Sequence, residues 1–279
     1  MSKNQKQKIN HNLIHNTKNS HPPNNTTTTK QQQQQQMSNS PGEWYASLPP
    51  ICKAWGTACV LITFGTQFGL PLPVNLYLDY KLIWEKFQIW RLIGNFCFIG
   101  GFGFPFVFRT LMIARYGVHL EQKTFENRTS DFVWMLMINM MILLPLKFIV
   151  PSVSQPFYSS SLIFAMLYLW SRENPTQNTS IMGMIRMPAF YLPWGMMALT
   201  VLMGGDPVPD FLGVLSGHVY YFFSVLYPRQ SGVHFLKTPQ WVEAAVGSVF
   251  GNPVIRAASN IAQPNEARRF VGRGRRLAD

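Results

Sequence analysis

The chain has 279 residues, of which 47% are hydrophobic and only 13% charged, with a formal net charge of +12. The basic residues cluster at the two ends and in two loops rather than on one patterned face, which argues against nucleic acid as a partner. Cys52, Cys59 and Cys97 are odd in number and lack zinc-ligand spacing, so neither a disulfide framework nor a metal centre is expected, and no cofactor is implied.

Residues 1–42 are polar, with Thr26–Thr29 and Gln31–Gln36, and read as a disordered tail. The first apolar run starts only near Ile51, so no cleavable signal peptide is expected and that run would itself target the chain. Six apolar runs follow: Ile51–Leu70, Gly103–Leu120, Phe132–Val150, Phe157–Trp170, Pro188–Met203 and Phe211–Tyr227. Pro71 and Pro73 end the first, Pro151 and Pro156 separate the third from the fourth, and Gly204-Gly205-Asp206-Pro207 turns between the last two. The composition between the polar ends is that of a polytopic membrane protein. The expected class is therefore all-α, with six transmembrane helices.

The runs differ in what they can do. Between the first and second, Tyr77, Tyr80, Trp84 and Phe87 recur every three or four residues, interleaved with Asp79, Lys81, Glu85 and Lys86. This pattern predicts an amphipathic helix at the membrane–water boundary, with Trp90 at headgroup depth and Arg91 meeting phosphates or a loop carbonyl. In the second run Arg109 either snorkels to the headgroups or faces a wet cavity. The fourth and fifth runs are short: sixteen residues reach about 24 Å against a bilayer core of roughly 30 Å. Either they thin the membrane or their true boundaries are wider. Gly65 and Gly69, and again Gly213 and Gly217, have the four-residue spacing that lets helices approach closely.

Six spans put both ends on one side. With Lys53 at the start of the first run, the ends and the loops near Arg115–Asp131 and Ser171–Arg186 hold 19 of the 24 Lys and Arg residues; the opposite set holds four, Lys81, Lys86, Arg91 and Lys147, and Arg109 lies inside the second run. The positive-inside rule then makes both tails cytosolic and turns the Trp90–Arg91 segment to the lumen or exterior.

Several motifs occur in one order: Phe87-Gln88-Ile89-Trp90-Arg91, Arg115-Tyr116 to Leu120-Glu121, Tyr191-Leu192-Pro193-Trp194, Gly213 to Gly217-His218 and Tyr220, Tyr227-Pro228, and Phe235 to Pro239-Gln240. From Gly42 to Trp241 the chain resembles the Derlin family, rhomboid-like proteins of the endoplasmic reticulum without protease activity. The resemblance implies a membrane domain over 43–241 and a role in moving misfolded proteins out of the endoplasmic reticulum for degradation. It also implies a membrane RING ubiquitin ligase as partner, beside membrane lipid and the misfolded substrates; homo- or hetero-oligomers are left open.

The alternatives are an active rhomboid serine protease and a transporter or channel. A rhomboid protease uses a Gly-x-Ser-Gly serine on the fourth span and a histidine three residues before the first glycine of the sixth. Here the fourth run carries Ser159-Ser160-Ser161 without flanking glycine, and the histidine position is Asp210. His218 lies eight residues on, about 12 Å further along a helix. It is expected to be a buried polar group bonding a neighbouring helix, and no catalytic residue is expected. Arg109 and Lys147 are too few intramembrane charges for an ion path, and no inverted repeat is visible.

Residues 242–279 read as a disordered basic tail that ends in Phe270-Val-Gly272-Arg273-Gly274-Arg275-Arg-Leu277. The two glycines disfavour a helix, so Phe270 and Leu277 would fill pockets on a partner while Arg273 and Arg275 meet acidic groups. The string resembles the short box by which Derlins bind valosin-containing protein, a hexameric AAA ATPase. Residues 242–269 would be its linker, spanning on the order of 30 Å.

Overall fold

The computed structural model describes residues 41–70, 72–146, 156–181, 183, 185–233 and 235–250. The chain divides into two units, Met1–Leu48 and Pro49–Asp279. In the first, helix α1 (Pro41–Ala46) is closed by Ser47, whose Oγ donates to the Trp44 carbonyl at 2.7 Å.

The second unit is mostly helical. Its first helix is α2 (Pro50–Gln67). Three short helices follow, α3 (Leu72–Leu76), α4 (Tyr80–Lys86) and α5 (Trp90–Gly94). Helix α6 (Phe104–Met112) continues without a break through π turns at Ile113–Gly117 and Leu120–Thr124. Then come α7 (Thr129–Leu143) and α8 (Ser159–Glu173). A two-stranded antiparallel hairpin, β1 (Asn178–Ile181) and β2 (Ile185–Pro188), leads into α9 (Leu192–Leu202). Helix α10 (Val208–Tyr221) runs through a π turn at Phe222–Leu226 into α11 (Tyr227–Ser231), and α12 (Gln240–Phe250) follows.

Each of the six apolar runs overlaps one of the described helical segments, and residues 147–150 of the third lie outside the described residues. No described helix is long and apolar enough to cross a membrane. The fifth run is shorter than expected. Its first residues are spent on β2 and a 3₁₀ turn at Ala189–Tyr191, and α9 keeps only 11 residues, roughly 16 Å.

Helix α8 is the axis of this unit. Every residue from Ser159 to Ser171 is buried. Helices α6, α7, α9 and α10 all pack against it, α10 most extensively. Asn139 of α7 is fully buried and accepts from Ser216 Oγ of α10 at 2.8 Å, a polar pair inside an apolar interface. In apolar surroundings such a bond adds on the order of 0.6 kcal/mol.

The start of α2 is closed from a distance. Pro49 offers no side-chain cap, and the first turn of any helix leaves amide hydrogens unpaired. Glu121 supplies the acceptor. Its carboxylate takes the Ile51 amide at 3.0 Å on one oxygen and the Cys52 amide at 2.8 Å on the other. A negative charge at a helix N-terminus also meets the positive end of the helix dipole. The C-terminus of α2 closes on Gly69, whose φ of +80° requires a residue without a Cβ penalty. The Leu70 and Gly69 amides return to the Gly65 and Thr66 carbonyls, a Schellman cap. Gly65 and Gly69 therefore end a helix. Nothing lies within 4 Å of a Cβ built on Gly69, so the close-packing expected of this pair is not realised there.

The same spacing in α10 has the other outcome. A Cβ on Gly217 would stand 2.8 Å from the Ala165 carbonyl oxygen, and one on Gly213 would meet the Ser161 carbonyl. Backbone thus touches backbone.

Replacing Glu121 with Ala leaves a buried and a half-buried amide without an acceptor and should cost about 1–3 kcal/mol. It is read as a lower thermal unfolding midpoint of the purified protein in detergent, with Glu121→Gln losing less because one acceptor remains. Glu126, exposed in the following turn, is the control. A Glu121→Ala loss no larger than that of Glu126→Ala would show that the cap contributes nothing.

Candidate functional site

The residues singled out in the sequence fall in three places, and a fourth set, Phe270, Gly272, Arg273, Gly274, Arg275 and Leu277, lies outside the described residues.

The first place is the segment from α3 to α5. Asp79 caps α4 by accepting from the Lys81 amide at 2.9 Å, and Tyr77 donates its hydroxyl to the same carboxylate at 3.1 Å. Phe87 ends α4 in the left-handed region with φ 52°, a conformation that costs a bulky residue on the order of 1 kcal/mol. Arg91 is 4% exposed. Its Nη1 donates to the Val74 and Tyr77 carbonyls at 2.9 and 3.0 Å, its Nε donates to Gln88 Oε1 at 2.6 Å, and its guanidinium lies 4.9 Å over the Tyr77 ring. Of the two partners expected for Arg91, the structure supplies backbone carbonyls, Val74 in α3 and Tyr77 just after it. Trp90, its neighbour, is exposed.

Around this pin large apolar side chains are exposed beside the charged Lys81, Glu85 and Lys86. Trp84 is 86% exposed and Phe87 78%, with Val74, Ile89 and Ile93 exposed beside them. The expected single aromatic face is split. Tyr80 turns inward and donates its hydroxyl to the Leu144 carbonyl at the end of α7. Burial raises the Tyr80 hydroxyl above the usual tyrosine range, so it stays a donor. Trp84 and Phe87 point outward.

The second place is the α8–α10 contact, where Gly213, Gly217 and His218 lie. Side chains tie the two helices along its length. Ser161 Oγ donates to the Pro209 carbonyl at 2.7 Å, Ser160 Oγ to Asp210 Oδ1 at 2.8 Å, and Tyr168 Oη meets His218 Nδ1 at 2.6 Å. Ser159 Oγ donates to the Phe98 carbonyl. Each of the three hydroxyls is thus engaged with a carbonyl or a carboxylate. His218 bonds a neighbouring helix but sits on the exposed side of α10, not in the interior. Its ring is held two turns of α8 away from the three serines.

The third place is Arg109. Its Nη1 donates to the Ile99 carbonyl at 2.8 Å, and it lines a cavity of about 350 Å³ with Gly100, Gly101, Thr200, Met203 and Gly204. Of the two expectations, the cavity is what the geometry gives. Asp210 lies close enough to interact with Arg109 electrostatically.

Features the sequence reading missed are the Glu121 cap, the β-hairpin and α12. Residues 242–250, expected in the linker, belong to α12. Val242 and Val246 are buried, Trp241 meets Trp134 of α7 edge-on at 6.1 Å, and Trp134 Nε1 donates to the Leu236 carbonyl at 3.2 Å. The repeat of Trp241, Val242, Val246 and Val249 at helical spacing carries that signal.

Two substitutions separate position from contact in the first place. Arg91→Ala strands two carbonyls and should lower the unfolding midpoint, by about 1–3 kcal/mol of stability. Trp90→Ala removes an exposed ring and should leave the midpoint within experimental error while weakening function. Equal midpoints for the two variants would remove the pin from the argument. At the second place, Gly217→Leu should cost about 1–3 kcal/mol or more through overpacking, and a wild-type midpoint would show the close approach to be incidental.

Comparison with known proteins gives concordant matches. The model of the Der1-like family matches residues 48–240. Derlin-1 of Arabidopsis thaliana is 51% identical over 208 residues, 75% of this chain and 78% of that protein. Derlin-1 of Oryza sativa subsp. japonica is 44% identical over 245 residues, 86% of this chain and 99% of that protein. Derlin-2.1 of Zea mays is 37% identical over 216 residues, 75% of this chain and 87% of that protein. The motifs that first suggested the resemblance, from Phe87–Arg91 to Pro239-Gln240, all fall inside the matched region, and the chain belongs to the Der1-like, or Derlin, family.

Proposed function

We propose that this chain is a rhomboid-like pseudoprotease of the endoplasmic reticulum membrane that assists the export of misfolded proteins for degradation. On this reading it docks a cytosolic AAA ATPase of the valosin-containing-protein type and works beside a membrane RING ubiquitin ligase. Family membership supports the general role. The observation that carries the mechanism is the apolar surface of Trp84, Phe87, Ile89, Trp90 and Ile93, held by a buried Arg91. A rigid aromatic ledge of this kind seats in the headgroup region and disturbs one leaflet.

Six membrane crossings are part of the proposal. Two of the helical runs are longer than their separate elements. The chain is helical from Phe104 to Thr124 and again from Val208 to Ser231, roughly 31 and 36 Å. The 11-residue α9 cannot reach across a bilayer core of roughly 30 Å unless the bilayer thins beside it. Thinning and the ledge both lower the barrier to moving polar chain through hydrocarbon, where each unsatisfied backbone group costs several kcal/mol. The absence of proteolysis is supported by chemistry. A serine needs a base that accepts its proton during attack, and Ser160 points at a carboxylate, a weaker base than imidazole.

The Lys and Arg asymmetry supports cytosolic tails and therefore a cytosolic position for Asn127 and Asn178, each of which begins a glycosylation sequon. Neither is expected to carry glycan. An endoglycosidase-sensitive mass shift that vanishes in Asn127→Gln would overturn the topology.

The tether is tested separately. Phe270→Ala with Leu277→Ala is expected to abolish co-purification of the ATPase while membrane insertion is unchanged. The tether then starts at the end of α12, and a weak motif gains from the high local concentration that a short link provides. ATPase recovered at wild-type level from the double variant would place its docking site elsewhere.

A further inference from the structure

The places described above do not use the cleft beside the β1–β2 hairpin. It has a volume of about 420 Å³ and is lined by Arg115, Arg186, Asn178, Thr179 and Ser180 with two apolar neighbours. We propose that this cleft is a phosphate-binding site, filled either by a phosphate-bearing lipid headgroup or by a soluble phosphate compound.

Its lining carries two cations and no carboxylate. Both arginines are exposed, and among the described residues the ion pair is Arg128–Asp131, so neither Arg115 nor Arg186 is neutralised by an acid. Two exposed guanidiniums facing one cleft repel each other, and an anion between them removes that repulsion. The guanidinium fork matches the oxygens of a phosphate, with two parallel N–H donors from each group.

The backbone explains how both arginines come to line the cleft. In the hairpin, Ser180 stands directly opposite Arg186 and Thr179 opposite Met187. Directly opposed residues of an antiparallel pair share a face, so the Ser180 hydroxyl and the Arg186 guanidinium are presented together. Thr179 is 5% exposed and the Asn178 side chain is exposed at the rim. Arg115 comes from the π turn Ile113–Gly117. The wider π turn changes the angular position of side chains on a helix, and such turns recur at functional sites. Its guanidinium lies 5.6 Å from the adjacent Tyr116 ring, a contact that leaves the N–H edges free to donate.

The surroundings favour the lipid source. Arg115 and Arg186 belong to the two loops that hold the excess of basic residues between runs. A cytosolic leaflet carries anionic lipid, and a cation near its surface gains on the order of 1 kcal/mol. A diffuse gain of that kind does not need two arginines and the Ser180 hydroxyl lining one cleft.

The test uses the purified full chain in detergent, with retention of added lipid read by native mass spectrometry. Phosphatidic acid should be retained about tenfold more strongly than phosphatidylcholine. Arg115→Gln with Arg186→Gln should bring it down to the phosphatidylcholine level. Both side chains are exposed, so the lipid-free unfolding midpoint should be unchanged. Arg229→Gln, an exposed cation outside the cleft, should retain phosphatidic acid as the wild type does. Inorganic phosphate is the competing probe. If it displaces the lipid, the site takes phosphate from either source; if it does not, the headgroup is the ligand. Equal retention of the two lipids by the wild type, or an equal loss in Arg229→Gln and in the double variant, would overturn the proposal.

Discussion

The structure depends on two glycines meeting a backbone. Where Gly213 and Gly217 of α10 face the carbonyls of Ser161 and Ala165 of α8, the helices approach until main chain touches main chain. In apolar surroundings the hydrophobic effect does little to hold helices together, and association rests on close packing and interhelical hydrogen bonds. This contact supplies both. The short separation lets small hydroxyls reach across, from Ser161 to the Pro209 carbonyl and from Ser160 to Asp210, while the longer Tyr168 reaches His218 further along. Helix α8 can then be buried from Ser159 to Ser171, with α7 fixed to α10 by Ser216 and Asn139.

Charged side chains do a different task here from the one they do on a soluble surface. Glu121, Arg91 and Arg109 each close backbone groups at a helix end or in an irregular segment. Short helices have many ends for their length, and each end leaves amides or carbonyls without partners. Away from water those groups need acceptors and donors from the protein itself. An ionised partner makes a hydrogen bond about twice as strong as a neutral one.

Much of this was legible because apolar runs and glycines report directly on packing. The six runs located six helical segments, and Gly213 with Gly217 marked a close contact. The identical spacing of Gly65 and Gly69 gave a helix cap, because Gly69 sits where the chain must turn left-handed and nothing among the described residues comes within 4 Å of a Cβ there. Spacing alone carries no information about which neighbour arrives. The same limit applies to Tyr80. Its period matched Trp84 and Phe87, but the helix starts only at Tyr80 and the Leu144 carbonyl lay within reach. Glu121 was visible within a motif, yet its role links residues about seventy positions apart, which no local pattern encodes. The hairpin was read as loop because its strands have four residues each, too few for an alternation to stand out.

The short α9 and the inward-turned charge of Arg109 have one geometric cause. Helix α9 stops at Leu202, and Gly204 reverses the chain with φ +74°. The turn at Met203–Gly205 therefore lies beside α6 rather than beyond its end, and between them the chain leaves the cavity that Arg109 enters. A longer α9 would fill that volume with apolar side chains and leave the guanidinium no route to the Ile99 carbonyl. Gly100 and Gly101 form the opposite wall, where a Cβ on Gly100 would come 3.5 Å from the Arg109 guanidinium. The short helix, the glycine turns and the arginine thus form one arrangement. It puts a hydrogen-bond donor and backbone carbonyls beside α9, where a longer helix would present apolar side chains to its neighbours.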